Sequence, residues 1–342
     1  MVNKHNIELL DCTLRDGGYV NNFCFGRENI KHIVNRLSSS GVELIELGFL
    51  KDGNHNIDQT LFNKVEEAEF YTQFSNNKNQ NYCLMIRPDW YDISKLSSTT
   101  GNIKNIRFAF HYKDLDLTLK QANIARDLGY EVMLNPVNIL SYTTEELENL
   151  LPILNKFGPK CISIVDTFGS ILPKDLNKIF NIFHQSISSE IKLGLHLHEN
   201  LSISLALAIM FIDSMQNVRS GYIDSSVLGI GRIPGNLCTE LIMNYFNMNS
   251  DKNYDLSKIY DLIDNPISSI KKDEPWGYMP AYAFTGFNKI HRSYAEYLLK
   301  KPNITLNQIV NILNNLSSDE ERENFDQSIA DTYYNKVISA NL

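Results

Sequence analysis

Three short stretches of the chain gather the side chains that do chemistry. The first is Asp11-Cys12-Thr13-Leu14-Arg15-Asp16-Gly17-Gly18, where an apolar run ends in an arginine, an aspartate and two glycines. Glycine lets the backbone turn tightly, so both charges are left at the end of the run. The second is Gly194-Leu195-His196-Leu197-His198. On a strand of period two, both imidazoles share one face and both leucines the other. Two imidazoles one pleat apart suit one divalent ion. The third is Leu228-Gly229-Ile230-Gly231-Arg232-Ile233-Pro234-Gly235-Asn236, which leads into a helical pattern at Leu237–Phe246. Such a loop, ahead of a helix amino terminus, is suited to anions. Each stretch also has a purely structural reading: an ion pair in a turn, a hydrogen-bonded pair of core histidines, and a helix cap at Asn236. The glycines of the third stretch do not complete a dinucleotide-binding fingerprint.

These residues need elements that bring them together. Short β-branched or apolar runs occur eight times, at Ile7–Asp11, Val42–Gly48, Tyr82–Ile86, Ile106–Phe110, Glu131–Pro136, Cys161–Val165, Leu193–His198 and Tyr222–Leu228. Amphipathic stretches alternate with them, at Arg27–Ser40, Leu117–Leu128, Thr144–Phe157, Pro173–Ser186 and Ser202–Met215. Thr143 ahead of Glu145 and Glu146, and Pro173 with Asp175, mark helix starts; Gly129 and Gly158 mark stops. Eight alternations predict an α/β fold of the closed (β/α)8 barrel type, with a doubly wound open sheet as the competitor. In a barrel, reactive side chains collect at the carboxyl ends of the strands, where all three stretches fall. The barrel is expected over residues 1–250. Residues 251–342 carry no strand pattern, and helical periodicity at Asn288–Leu299 and Leu306–Leu316 predicts a helical appendage packed on it. The joining segment Trp276–Phe287 is too aromatic for a solvated linker.

Composition narrows the partners. The 342 residues are 43% hydrophobic and 21% charged, enough for an ordinary core. Acidic exceed basic residues by 40 − 32 = 8, and no basic block supplies a nucleic-acid face. No apolar run is long enough to span a bilayer, and the amino-terminal segment lacks a signal-peptide pattern. The five cysteines share no CxxC spacing, which leads to the expectation of reduced thiols in a cytoplasmic protein.

The combination LDCTLRDGG, IELGF, DTFGSILP, GLHLHENLSISLALA and GIGRIPGN resembles the DRE-TIM metallolyases, across residues 7–245 and in the expected order. These include 4-hydroxy-2-oxovalerate aldolases, hydroxymethylglutaryl-CoA lyases and 2-isopropylmalate synthases. The resemblance implies that Arg15 is the catalytic arginine and that Glu46 holds it. It implies that Asp16, His196 and His198 bind the metal, with Asn236 as a further ligand or a support for one. Thr167, Gly231 and Arg232 join Arg15 as expected substrate contacts. The implied cofactor is one divalent ion per chain, Mn²⁺ or Mg²⁺ ahead of Zn²⁺ or Co²⁺. The implied substrate is a small anionic 2-oxo acid. Making or breaking a C–C bond beside its carbonyl passes through an enolate, whose charge a metal and an arginine stabilise.

The departures from the family pattern fall on proton transfer. Where the aldolases carry a histidine two residues past the arginine-aspartate-glycine run, this chain has Tyr19; where the synthases carry glutamate, it has Gly18. Tyr19, His111 and His291 are the remaining candidates for acid–base work, and Tyr282 resembles a tyrosine that assists catalysis in the aldolases. The leading expectation is a metal-dependent aldolase, a carbon–carbon lyase. A Claisen-type acyl-CoA:2-oxo acid synthase (an acyltransferase) is the alternative among enzymes. A degenerate barrel serving as scaffold for an aldehyde-dehydrogenase-like partner is the alternative of another class. The aromatic appendage is compatible with homo-oligomerisation.

Overall fold

A computed structural model describes residues 6–216 and 218–339. Eight parallel strands follow in chain order: β1 Ile7–Asp11, β2 Leu44–Leu50, β3 Asn81–Ile86, β4 Ile103–Phe110, β5 Glu131–Pro136, β6 Cys161–Val165, β7 Lys192–His196 and β8 Gly221–Ser225. The sheet closes because β1 pairs with both neighbours, Leu10 opposite Leu44 on β2 and Leu9 opposite Ile223 on β8. That closure excludes the open doubly wound sheet. The helices of the barrel are α1 Arg27–Ser40, α2 Val65–Thr72, α3 Leu115–Asp127, α4 Thr144–Phe157, α5 Pro173–Ser186, α6 Ser204–Met215 and α7 Thr239–Asn249. Between β3 and β4 there is only a single 3-10 turn, Ile93–Lys95.

The local signals act as their chemistry requires. Thr143 and Glu146 form the reciprocal cap of α4, Pro173 opens α5, and Gly158 closes α4 with φ +67. β2 begins and ends two residues later than its apolar run suggests. Its end is extended by a two-residue strand, Leu61–Phe62, which pairs with Phe49 and Leu50. Gly48 permits this: its φ is +151, and a Cβ there would lie 2.0 Å from the Thr60 carbonyl oxygen. β7 stops at His196 rather than His198, and β8 at Ser225 rather than Leu228. His198 instead forms an isolated antiparallel bridge with Asn236, which draws the loop after β8 toward β7.

Inward-facing residues form two layers. The lower is apolar, with Leu10, Leu44, Cys83, Met133, Cys161 and Tyr222 in one cluster. One pleat further on, Glu46, Asn135 and Asp224 occupy the same face of their strands, joined by Arg107 from β4, and all four are buried. The outward residues, among them Leu195 and Leu197, join the main core between sheet and helices.

Beyond the barrel, α8 Leu256–Leu262 and α9 Ser268–Asp273 follow, and Ile259, Leu262, Ile267 and Trp276 belong to the barrel's own apolar core. Of the periodicity expected across Asn288–Leu299, only α11 Ser293–Leu299 is helical; the joining segment before it holds a further helix, α10 Pro280–Phe287. The turn between them includes Lys289 at positive φ. α12 Leu306–Asn314, α13 Asp319–Glu323 and α14 Gln327–Ser339 follow, and α10, α11, α12 and α14 enclose a second apolar cluster. Three bonds tie this part to the loop after β8: Trp276 Nε1 donates to the Leu228 carbonyl at 2.8 Å, the Gly277 N–H to that of Pro234 at 2.9 Å, and Arg292 Nη1 to that of Ile233 at 3.1 Å. No helix among the described residues is long and apolar enough to cross a membrane.

Asp11, at the end of β1, accepts from the Thr13 N–H and from Thr239 Oγ1 at the start of α7, both at 2.9 Å. Burial pushes its carboxyl up from 3.8 to about 7. Between those values the folded chain holds a proton that the unfolded chain has released, so stability falls as pH rises from about 4 to about 7. Urea titrations across that range are expected to show this slope, and Asp11→Asn to flatten it.

Candidate metal centre

At the carboxyl ends of β1 and β7, Asp16, His196 and His198 bring one ligand atom each within 4.8 Å of one another. All three are buried. The two imidazoles meet edge to face, with centroids 5.0 Å apart. Each is oriented by its other nitrogen. His196 Nδ1 lies 3.0 Å from Asp224 Oδ2, and His198 Nδ1 donates to the Asp166 carbonyl at 2.8 Å. A ring that donates from Nδ1 carries its lone pair on Nε2, the state a metal ligand needs. Among the described residues, His198 Nε2 and Asn236 Oδ1 are both buried without a hydrogen-bond partner. Asn236 Nδ2 is already engaged with the Ile230 carbonyl at 3.2 Å, and the helix it precedes is capped at Cys238, so it does not serve as a cap. Orphaned acceptors beside a carboxylate are costly without a cation, so the residues present fit a divalent ion. Gly231 closes the cluster: a Cβ there would lie 2.2 Å from Asn236 Nδ2 and 2.8 Å from Asp16 Oδ2.

Arg15 is clamped between carboxylates. Its Nε donates to Glu46 Oε2 at 2.7 Å and its Nη1 to Asp16 Oδ1. Glu46 is shared with Arg107, whose Nη1 reaches it at 3.1 Å; Arg107 Nη2 donates to Asp224 Oδ2 at 2.6 Å. A continuous buried chain thus runs Arg15–Glu46–Arg107–Asp224–His196. Burial pushes the Asp16 carboxyl up, but the surrounding positive charge, led by the Arg15 guanidinium, outweighs it and holds the group well below the usual carboxylate range. Burial acts on Asp224 likewise, and Arg107 and His196 hold it low. Burial also lowers His196, against the pull of Asp224, and keeps the ring neutral. Three carboxylates (Asp16, Glu46, Asp224) face two guanidiniums (Arg15, Arg107), which leaves 3 − 2 = 1 uncompensated negative charge for a cation.

The cluster opens into a cavity of about 490 Å³, whose wall includes Arg15, Tyr19, His111, Thr167, Arg232 and His291. Tyr19 packs edge-on against Phe23 and Phe49, and burial outweighs Arg232 in pushing its hydroxyl up. Thr167 Oγ1 accepts from the Asn138 N–H at 2.6 Å. His291 enters from the turn between α10 and α11. Tyr282 does not reach the cavity: it belongs to the second apolar cluster, where its carbonyl accepts from Asn200 Nδ2. Its aromatic character is used for packing.

Arg107 and Asp224 escaped the reading from sequence, although the signal was there. Both stand in runs expected to be buried parallel strands, where an unpaired charge is prohibitively costly; only a partner across the barrel explains them.

Comparison with known proteins agrees with this geometry. The HMGL-like family matches residues 6–265. A 4-hydroxy-2-oxovalerate aldolase of Geobacillus genomosp. 3 is 26% identical over 286 residues, covering 77% of this chain and 80% of its own. The 4-hydroxy-2-oxovalerate aldolase 2 of Comamonas testosteroni is 26% identical over 304 residues, covering 85% of each. Among solved structures, the N-terminal domain of a candidate aldolase from Bacteroides vulgatus superposes with a TM-score of 0.75 at 22% identity. It covers 86% of this chain and 98% of its own, and so supports the fold. With the closed barrel, the order of the motifs and the span of the match in agreement, the chain belongs to the HMGL-like family.

Proposed function

We propose that the protein is a divalent-metal-dependent aldolase that makes or breaks a C–C bond next to the carbonyl of a small 2-oxo acid. One observation carries this reading: Asp16, His196 and His198 converge at the strand ends, beside a buried arginine and open to a cavity. Relatives named 4-hydroxy-2-oxovalerate aldolase support it. Asp16, His196 and His198 would hold the ion, with the free oxygen of Asn236 as a fourth donor. When bound, a divalent ion such as Mn²⁺ or Mg²⁺ supplies Lewis acidity to a 2-oxo acid and offsets charge on its oxygen. In cleavage, the 4-hydroxyl loses its proton to a base. The electron pair of the C3–C4 bond passes into the enolate, an aldehyde departs, and the enolate takes up a proton at C3. Arg15 donates to the enolate oxygen, and Glu46 fixes its guanidinium in place.

The cavity's acid–base groups are sorted by their surroundings. The Tyr19 hydroxyl stays protonated and acts as a donor. His111 makes no hydrogen bond through its ring among the described residues, and burial, with Arg87, lowers it below its ordinary 6.5. It is the imidazole free to accept the hydroxyl proton at neutral pH. The barrel, residues 1–250, and the helical region, 251–342, make one catalytic unit in this proposal, since the second walls the cavity of the first. The five free cysteines support a cytoplasmic protein. A homo-oligomer and an aldehyde-consuming dehydrogenase partner fit the same chemistry.

Elemental analysis after dialysis against Mn²⁺ is expected to find about one ion per chain. His196→Ala abolishes binding, and Asp224→Asn weakens it by about 10- to 100-fold, as loss of an orienting partner does. An empty wild-type protein across Mn²⁺, Mg²⁺, Zn²⁺ and Co²⁺ overturns the proposal. Arg15→Gln is expected to keep the ion yet lower kcat by about 10²- to 10³-fold in cleavage assays that follow pyruvate release. The kcat/KM of the wild type rises with pH along a limb whose midpoint lies below the ordinary imidazole value of 6.5, because the imidazole is the base only when deprotonated. His111→Gln loses that limb along with most of the rate.

A further inference from the structure

Three arginines line the cavity, and their charges are not equally spent. Arg15 is paired with Glu46 and Asp16, and Arg87 with Asp89 at 2.8 Å. Arg232 forms no ion pair with a carboxylate among the described residues. Its Nε is buried without a partner, and its guanidinium lies 5.8 Å from the centre of the Tyr19 ring. The backbone keeps it there, since the Arg232 N–H donates to Asp16 Oδ2 at 3.3 Å. An unpaired guanidinium beside a built site is a receptor for an anion.

The carboxy-terminal region brings His291 to the same wall. Its Nδ1 accepts from the Ser293 N–H at 3.2 Å, and its ring stands edge-on to Phe168 at 5.3 Å. A neutral ring that accepts at Nδ1 carries its hydrogen on Nε2, so it offers the cavity a donor and not a base. Burial, with Arg232 and Arg292 nearby, lowers this imidazole to about 3, so it remains neutral at working pH. The neighbouring Arg292 is occupied by Glu296 at 3.2 Å and by the Ile233 carbonyl. Asp114 and Glu323 also lie on the cavity wall, and neither forms an ion pair with Arg232.

We propose that Arg232 and His291 form a subsite for an anionic group, carboxylate or phosphate, carried by the acceptor aldehyde. This rests on the aldolase reading, in which the 2-oxo acid is already held at the metal cluster and Arg15. The cavity volume lies within the ~300–1,000 Å³ of pockets that enclose whole small-molecule ligands, and so leaves room beyond the reaction centre. A two-carbon neutral aldehyde uses neither the room nor the unpaired charge.

The test uses the full chain loaded with Mn²⁺, pyruvate, and two matched pairs of aldehydes: succinate semialdehyde against butyraldehyde, and glyceraldehyde 3-phosphate against glyceraldehyde. The charged member of at least one pair is expected to have a kcat/KM at least tenfold higher, and the preferred pair identifies the anion. Arg232→Gln and His291→Phe bring that ratio toward one, and Arg232→Lys restores part of it. Equal rates within both pairs overturn the proposal. So does a rise in the KM for pyruvate with Arg232→Gln that is the same for charged and neutral aldehydes, because the subsite then belongs to the 2-oxo acid. If no aldehyde condenses, the aldolase reading falls, and calorimetry with the same four aldehydes still reads the subsite. Binding at least tenfold tighter for a charged member, lost in Arg232→Gln, upholds it; equal binding overturns it.

Discussion

The buried run of charges Arg15–Glu46–Arg107–Asp224–His196 is the constraint around which this barrel is organised. Charges at the centre of a barrel are tolerated only when each is paired and hydrogen-bonded, because desolvation costs several kcal/mol per ion. Here every member has a neighbour on a different strand or on the loop after one, so β1, β2, β4, β7 and β8 are held in register by the same chain. Its two ends are the two chemical devices of the site, a guanidinium at one and a metal-seeking imidazole at the other. Removing a link therefore disturbs both the position of Arg15 and the orientation of His196.

The electrostatics follow from the count within that chain. One excess negative charge at the cluster draws a dication, and a dication there turns the strand ends positive. In the proposed function, the bulk charge of −8 describes the outer surface, and the cavity with its ion bound would favour an anion. Arg232, which pairs with no carboxylate among the described residues, pushes in that direction, while the ionised Asp16 and the neutral imidazoles suit the cation. The carboxy-terminal region takes part: it pins the loop that carries Arg232 and Asn236 through Trp276 and Arg292, and it brings His291 to the wall.

Much of this was legible in the order of residues. Eight apolar runs alternating with amphipathic ones led to the barrel, because period and alternation report which faces must be buried. Leu195 and Leu197, alternating with His196 and His198, showed that both imidazoles face inward. Boundaries were less legible. β2 extends past Gly48 because that residue accommodates the Thr60 carbonyl, and β7 ends before His198 because the bridge to Asn236 competes with the sheet. Tyr282 looked like a site residue by its surroundings in sequence, yet its ring packs inside the second cluster.

By itself, then, the sequence determined the barrel class, the arginine–aspartate pair and the histidine pair, since strand periodicity and the rule that strand ends carry chemistry act locally. Only the tertiary structure decided which charges meet. Arg107 joins Glu46 to Asp224 across 61 and 117 residues of chain, and among the described residues Arg232 is left without a carboxylate. The physical reason is that pairing a buried charge depends on distance through space. No pattern within one strand records which strand stands opposite.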